Sequence, residues 1–204
     1  MTARRTAILL IGFQHDYFSP DGILHAVIEE SAQVTDSLAN TLSLIRKLEA
    51  SDALIIATPI RFTESYAELV DPVGILETIR RVGAFRADGP GGATIPELRA
   101  FGDRIVELPG KRGLNAFSNT ELEAVLRHHD VDHVVIAGVV TSICVDSTGR
   151  SAHERGYRVT VLSDCTSGRT TFEQDFYCQE VFPLYARVTD HRTLVDELLS
   201  REAG

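Results

Sequence analysis

The three cysteines of this 204-residue chain, Cys144, Cys165 and Cys178, form no C-x-x-C pair. Neither a disulfide framework nor a cysteine-based zinc site is therefore suggested. Long apolar runs are missing too. The first, in MTARRTAILLIGF, spans about six residues, short of the roughly 7–15 of a secretory h-region or the 18 of a membrane span. With no export signal, a reducing cytoplasm is the expected location and no membrane partner is expected. Basic charge is scarce: 20 Lys and Arg against 29 Asp and Glu leave a net charge of −9. That argues against a nucleic-acid partner, because phosphate binding needs basic surface. Gly89, Gly91 and Gly92 follow no strand and open no clear helix, so they make no phosphate-binding loop. No cofactor is expected. There is no internal repeat, and 44% hydrophobic content supports one sizeable core, so residues 1–204 read as a single domain.

What is present is an alternation of buried strands and helices. TAILLIG (Thr6–Gly12) is a continuous apolar run ended by glycine, the pattern of a fully buried strand. Across Ser31–Ala50, Val34, Leu38, Leu42, Ile45 and Leu48 recur at the spacing of one amphipathic helix. Ala53–Ala57 reads as the second strand. From Thr58 to about Gly102 prolines and the run DGPGG break the pattern into an irregular excursion with one short helix near Pro72–Val82. Then come a strand at Arg104–Leu108, a helix at Thr120–His129, a strand at His133–Ala137, a helix at Thr141–Arg155 and a strand at Arg158–Leu162. A helix at Phe172–Leu184, a short strand at Ala186–Val188 and a helix at Arg192–Ser200 close the chain. The expected fold class is α/β: a three-layer α-β-α, doubly wound parallel sheet of about six strands. Sites in such sheets lie beyond the carboxyl ends of the strands. The loops after Gly12 and around Lys111, and the turn before Cys144, are all placed there.

The stretch VVIAGVVTSICVDSTGR runs from strand through a short turn into helix and delivers Cys144 to the helix start. Unpaired N–H groups and the helix dipole favour a thiolate there, which is the requirement for a nucleophile. The alternative is a small buried apolar residue.

Four segments resemble the isochorismatase-like cysteine hydrolases, which include nicotinamidases, N-carbamoylsarcosine amidases and isochorismatases. AILLIGFQHDYF is similar to the first strand and its Asp-x-Gln-x-Asp-Phe signature, and KRGLNAFSNTEL to the catalytic-lysine loop. GVVTSICVDSTGRSAHERGY is similar to the nucleophile segment, and VTVLSDCTSG to the strand and loop after it. The resemblance implies a Rossmann-like fold, Cys144 as nucleophile and Lys111 as catalytic lysine. It also implies a cis bond between Val139 and Val140, with the N–H groups of Val140 and Cys144 forming an oxyanion hole. The implied reaction is hydrolysis of a C–N bond in a small amide or carbamoyl substrate through a Cys144 thioester. A homodimer or homotetramer is implied as well, with FYCQEVFPLY in the interface. Some relatives bind metal after the second strand; TPIRFTESYAEL contains neither His nor Asp, so no metal is expected.

One position departs from the family pattern. The catalytic Asp that opens the first-strand signature is Gly12 here. Vinyl-ether hydrolysis of the isochorismatase type, which needs that acid, is accordingly the less supported activity. Four explanations stand open. Asp16 could act as the base, though it matches a structural position. His25, Glu29 or Glu30 could reach the same space from another backbone position. Lys111 and the helix dipole could suffice to ionise Cys144. Or the chain binds without turnover. Retention of both Cys144 and Lys111 favours the second and third. Phe13, Gln14, Phe18 and Phe117 are candidate substrate-binding residues, with core packing the alternative for the aromatic rings. Arg61 and Glu64 either line the pocket or form a solvated ion pair, and His128, His129 and His133 read as surface residues.

Overall fold

A computed structural model describes residues 2–200. Six parallel strands form one sheet in the order β3-β2-β1-β4-β5-β6. They are β1 (Thr6–Ile11), β2 (Leu54–Thr58), β3 (Val106–Glu107), β4 (His133–Val139), β5 (Arg158–Ser167) and β6 (Arg187–Thr189). The order reverses between β1 and β4, so a crevice opens at their carboxyl ends. Every residue of β1 and β4 is buried, because these central strands are covered on both faces.

The helices are α1 (His15–Phe18), α2 (His25–Thr35), α3 (Ser37–Lys47), α4 (Gly74–Val82), α5 (Pro96–Arg99), α6 (Leu122–His128), α7 (Asp146–Glu154), α8 (Thr171–Phe176) and α9 (His191–Leu199). Alternate residues of each central strand face opposite layers. Ile8, Leu10, Val135 and Ala137 pack against Leu44, Ile45 and Leu48 around α3 and Leu194, Val195 and Leu198 of α9. Leu9, Ile11, Val134 and Ile136 pack against Leu122 and Leu126 of α6 and Ala152 of α7. A third apolar group, with Tyr17, Ile28, Phe62, Phe85, Val139 and Val140, roofs the carboxyl edge.

The single helix expected over Ser31–Ala50 is two. Asp36 takes the left-handed conformation (φ 51°), which Asp tolerates better than most residues. Asn40 Nδ2 donates to the carbonyls of Thr35 (2.9 Å) and Asp164 (3.0 Å), satisfying the broken end. Val34, counted in the apolar stripe, is exposed as a result. β5 runs five residues past Leu162, with a register shift opposite Ile136–Gly138. The helix expected over Phe172–Leu184 is α8 followed by a π-turn (Tyr177–Val181) and a 3₁₀ turn containing Pro183, whose missing N–H ends the α-helical ladder.

His133 corrects another expectation. It is 1% exposed, within β4, and its ring nitrogens face the hydroxyls of Thr160 (2.8 Å) and Thr6 (3.4 Å). His128 and His129 are exposed.

Gln14 ties the 58–102 excursion to the sheet. Its Oε1 accepts from the N–H of Ile60 (2.9 Å), and its Nε2 donates to the carbonyls of Ile60 (2.8 Å) and Gly92 (2.9 Å). Among the described residues no helix is long and apolar enough to cross a membrane.

Candidate active site

Cys144 lies in a π-turn (Thr141–Val145) that runs directly into α7. The turn closes with Val145 N–H donating to the Val140 carbonyl (3.2 Å). Thr141 Oγ1 donates to Gln174 Oε1 (2.5 Å), while Gln174 Nε2 donates to the Ser163 carbonyl and Thr166 Oγ1 (both 3.0 Å). α8 therefore holds the turn against β5. The Val139–Val140 peptide bond is cis, as the resemblance implied. Cys144 is 8% exposed and packs among the apolar residues beneath α6 and α7.

Lys111 comes to the same edge from the loop after β3. Leu108 N–H donates to the Ala57 carbonyl (2.9 Å), and Arg61 N–H to the Lys111 carbonyl (3.3 Å). Ala116 N–H donates to Thr148 Oγ1 (3.1 Å), which ties the lysine loop to α7. The Lys111 side chain is 1% exposed and makes no hydrogen bond or ion pair with the described residues. A buried ammonium without a counter-ion is costly, and lysines held this way mark functional sites more often than structural ones.

Gly12 closes the edge. Its φ is +71°, and a Cβ built there would lie 2.7 Å from the Val139 carbonyl oxygen and 2.9 Å from Val139 Cγ2. The strand end is pressed against the nucleophile turn with no room for a side chain. A carboxylate introduced here by substitution would conflict with this backbone. Gly138 is under a similar constraint: its φ is +126°, and a Cβ would overlap the Ile11 carbonyl.

The other predicted residues are dispersed. Asp16 is buried, and its Oδ2 accepts from Phe85 N–H (2.6 Å). Its backbone bonds Gly91 and Leu24. It clamps the excursion, as a structural reading of its position requires. Glu29 is exposed on α2, facing Gln33 (3.5 Å), and exposed Glu30 accepts from Thr171 N–H (2.8 Å). Both carboxylates lie on the solvent side of α2 and are not brought to the sulfur, because that helix starts at His25 and turns them outward. His25 Nδ1 lies 2.9 Å from the Tyr17 carbonyl. Phe13 packs in the layer under α3 and α9, stacked on Phe18 at 4.8 Å between centroids. Gln14 is consumed by its backbone partners. Phe117 stacks with Tyr157 (6.2 Å) under Arg155, beside the C-terminal end of α7. All four are engaged in packing or backbone contacts. Arg61 and Glu64 do not pair with each other: Arg61 bonds Glu107 (2.8 Å) and Glu64 bonds Arg86 (3.3 Å).

Sequence reasoning passed over Tyr17. It sits on α1, buried, its ring 5.1 Å from that of Phe85 and in one apolar group with Val139 and Val140. Burial, then the charge of Cys144, then that of Asp16 hold its phenol well above the usual tyrosine range. The signal was present: Tyr17 stands where the signature has Phe.

A cavity of about 660 Å³ lies at the amino ends of β4, β5 and β6, lined by His133, Arg158, Tyr185 and Arg187 among others. It is remote from Cys144. Asp164, Cys165 and His191 also form a group, with ligand atoms within 4.8 Å of one another. Asp164 is already engaged there, accepting from His191 N–H (3.0 Å) and facing Nδ1 (2.6 Å).

A family model described as the isochorismatase domain matches residues 6–193. A cysteine hydrolase from Pseudomonas syringae pv. phaseolicola 1448A superposes with a TM-score of 0.85 at 20% identity, covering 98% of this chain and 95% of that one. The N-carbamoylsarcosine amidase of Thermoplasma acidophilum gives 0.71 at 19% identity, covering 92% and 96%. The pyrazinamidase of Pyrococcus horikoshii, solved with zinc, gives 0.71 at 22%, covering 91% and 99%. The loop after β2 does not fit a zinc ion. It offers the Arg61 guanidinium, Glu64 is paired with Arg86, and Glu68 accepts from Thr63 N–H (3.0 Å). With residues 6–193 matched by the family model, the chain belongs to the isochorismatase-domain family.

Proposed function

We propose that the chain is a hydrolase that cleaves the C–N bond of a small amide or carbamoyl compound through a Cys144 thioester. The observation that supports this reading is that Lys111, buried and without a hydrogen bond to the described residues, and Cys144 both lie in loops at the carboxyl edge of the sheet. Lys111 supplies the cation of this arrangement. The thiolate attacks the amide carbonyl, and the developing oxyanion is met by the N–H groups of Val140 and Cys144. The tetrahedral species collapses, the C–N bond breaks, and the nitrogen leaves as amine or ammonia after taking a proton. Water then hydrolyses the thioester and regenerates the thiol. A single domain over residues 1–204, a cytoplasmic location and a homodimer or homotetramer complete the proposal. Exposed Phe172, Phe176 and Leu184 support the assembly.

A second reading, binding without turnover, is favoured by Gly12, which leaves no acid at the first-strand position. Vinyl-ether hydrolysis loses support for the same reason. Iodoacetamide at pH 7 separates the readings. The hydrolase should be alkylated at Cys144 faster than a small free thiol. Amide substrates should give a Cys144-linked acyl adduct by mass spectrometry, abolished in Cys144→Ala. A slow Cys144 in a folded protein would leave the binding reading.

A further inference from the structure

Two positions of the first-strand signature depart together. Gly12 and Tyr17 stand where the signature that this stretch resembles has a carboxylate and a phenylalanine. One change removes an acceptor, and the other adds a hydroxyl. Tyr17 is 4% exposed, shares an apolar group with Val139 and Val140, and has Ile143 at that group's margin. Its hydroxyl makes no hydrogen bond with the described residues. The oxygen is not one of the fully buried atoms without a partner, so it keeps some accessible surface on which an entering molecule can meet it. The phenol is neutral there, because burial, the Cys144 charge and the Asp16 carboxylate all oppose its ionisation.

The carboxylate and amide acceptors of this edge are each engaged. Asp16 takes the N–H of Phe85, Gln14 Oε1 takes that of Ile60, and Glu107 takes Arg61 and Thr94. Tyr17 Oη and Lys111 Nζ, both donors, make no hydrogen bond with the described residues, while Thr58 Oγ1 at the end of β2 and His15 Nδ1 are buried without a partner and can donate or accept. An incoming molecule that presents N–H or ammonium to Tyr17 would set donor against donor. One that presents a carbonyl or carboxylate oxygen would be satisfied.

We propose that Tyr17 Oη is a substrate-orienting hydrogen-bond donor beside Cys144, selecting amides whose acyl side carries an acceptor, a carboxylate above all. The inference rests on Cys144 being the nucleophile. Tyr17 keeps its proton throughout and forms only a hydrogen bond, which is stronger to a charged oxygen.

Iodoacetate and iodoacetamide test it, since they share a reactive carbon and differ in presenting a carboxylate or an amide. With either reagent Cys144 Sγ forms the C–S bond and iodide leaves with the electron pair of the C–I bond. Rates are read on the Cys144 peptide by mass spectrometry. The ratio of iodoacetate to iodoacetamide rates at Cys144 should exceed that of N-acetylcysteine amide by on the order of 10-fold. Tyr17→Phe, which keeps the ring, should return the ratio to within about threefold of the free thiol, the iodoacetate rate falling more than the iodoacetamide rate. Lys111→Met, by contrast, should slow both reagents. A wild-type ratio no higher than the free thiol's, or a ratio unchanged in folded Tyr17→Phe, overturns the proposal alone. Cys144 inert to both reagents when folded but reactive when denatured overturns the nucleophile reading and this inference with it.

Discussion

A Cβ on Gly12 would stand 2.7 Å from the carbonyl oxygen of Val139. The end of β1 and the turn that delivers Cys144 are in backbone contact, at the position where the family signature places a carboxylate. Gly12→Ala and Gly12→Asp should therefore each cost about 2–4 kcal/mol, from the left-handed backbone and the overlap together. Urea denaturation measures it. Neither variant should accelerate alkylation of Cys144. A Gly12→Asp protein that is stable and more reactive would show that the strand end yields.

Lys111→Met should move reactivity and stability in opposite directions. Removing the cation should slow iodoacetamide at pH 7 about tenfold. Replacing an unpaired buried ammonium by an isosteric apolar chain should raise the thermal midpoint. A structural lysine would lose stability instead, and a midpoint that falls on substitution would contradict the role assigned here.

Gln14→Leu should free the excursion. It strips the Ile60 N–H of its acceptor and the Ile60 carbonyl of its donor, at a cost of about 2–4 kcal/mol. Gly92 keeps a donor in Arg61 Nε (2.9 Å), so the loss concentrates at Ile60. Hydrogen exchange should show Ile60 unprotected while β1 and β4 stay protected. Equal loss of protection across the sheet would mean that Gln14 is a core residue and not a tether.

His133 should make the protein acid-sensitive. Burial first, and the Arg158 cation next, push its pKa down to about 4. Between pH 6.5 and 4 the unfolded chain binds a proton that the folded one does not, so stability is complete above 6.5 and falls with decreasing pH. The loss should reach roughly 3 kcal/mol by pH 4. Urea midpoints across that window should fall in the wild type and flatten in His133→Gln. Parallel slopes would assign the acid sensitivity to other groups.

Much of this was legible in the residues themselves. Continuous apolar runs such as TAILLIG and HVVIA read as strands buried on both faces, and their alternation with amphipathic stretches implied the parallel sheet. Topology then forced Gly12, Lys111 and Cys144 to one edge, because loops after parallel strands share an end of the sheet. Other features depended on which element packs against which, and periodicity within one segment carries no such information. Phe13 and Gln14 are neighbours that point to opposite layers, and both are spent on packing. Glu29 and Glu30 were credible acids until α2 began at His25 and turned them to solvent. His133 looked like its exposed neighbours until β4 carried it between two threonines. Tyr17 gained importance only when the excursion folded Phe85 over it beside Val139. Gly12 looked like a lost catalytic group in the sequence. The tertiary structure makes it a contact between two backbones, which no pattern of side chains can encode.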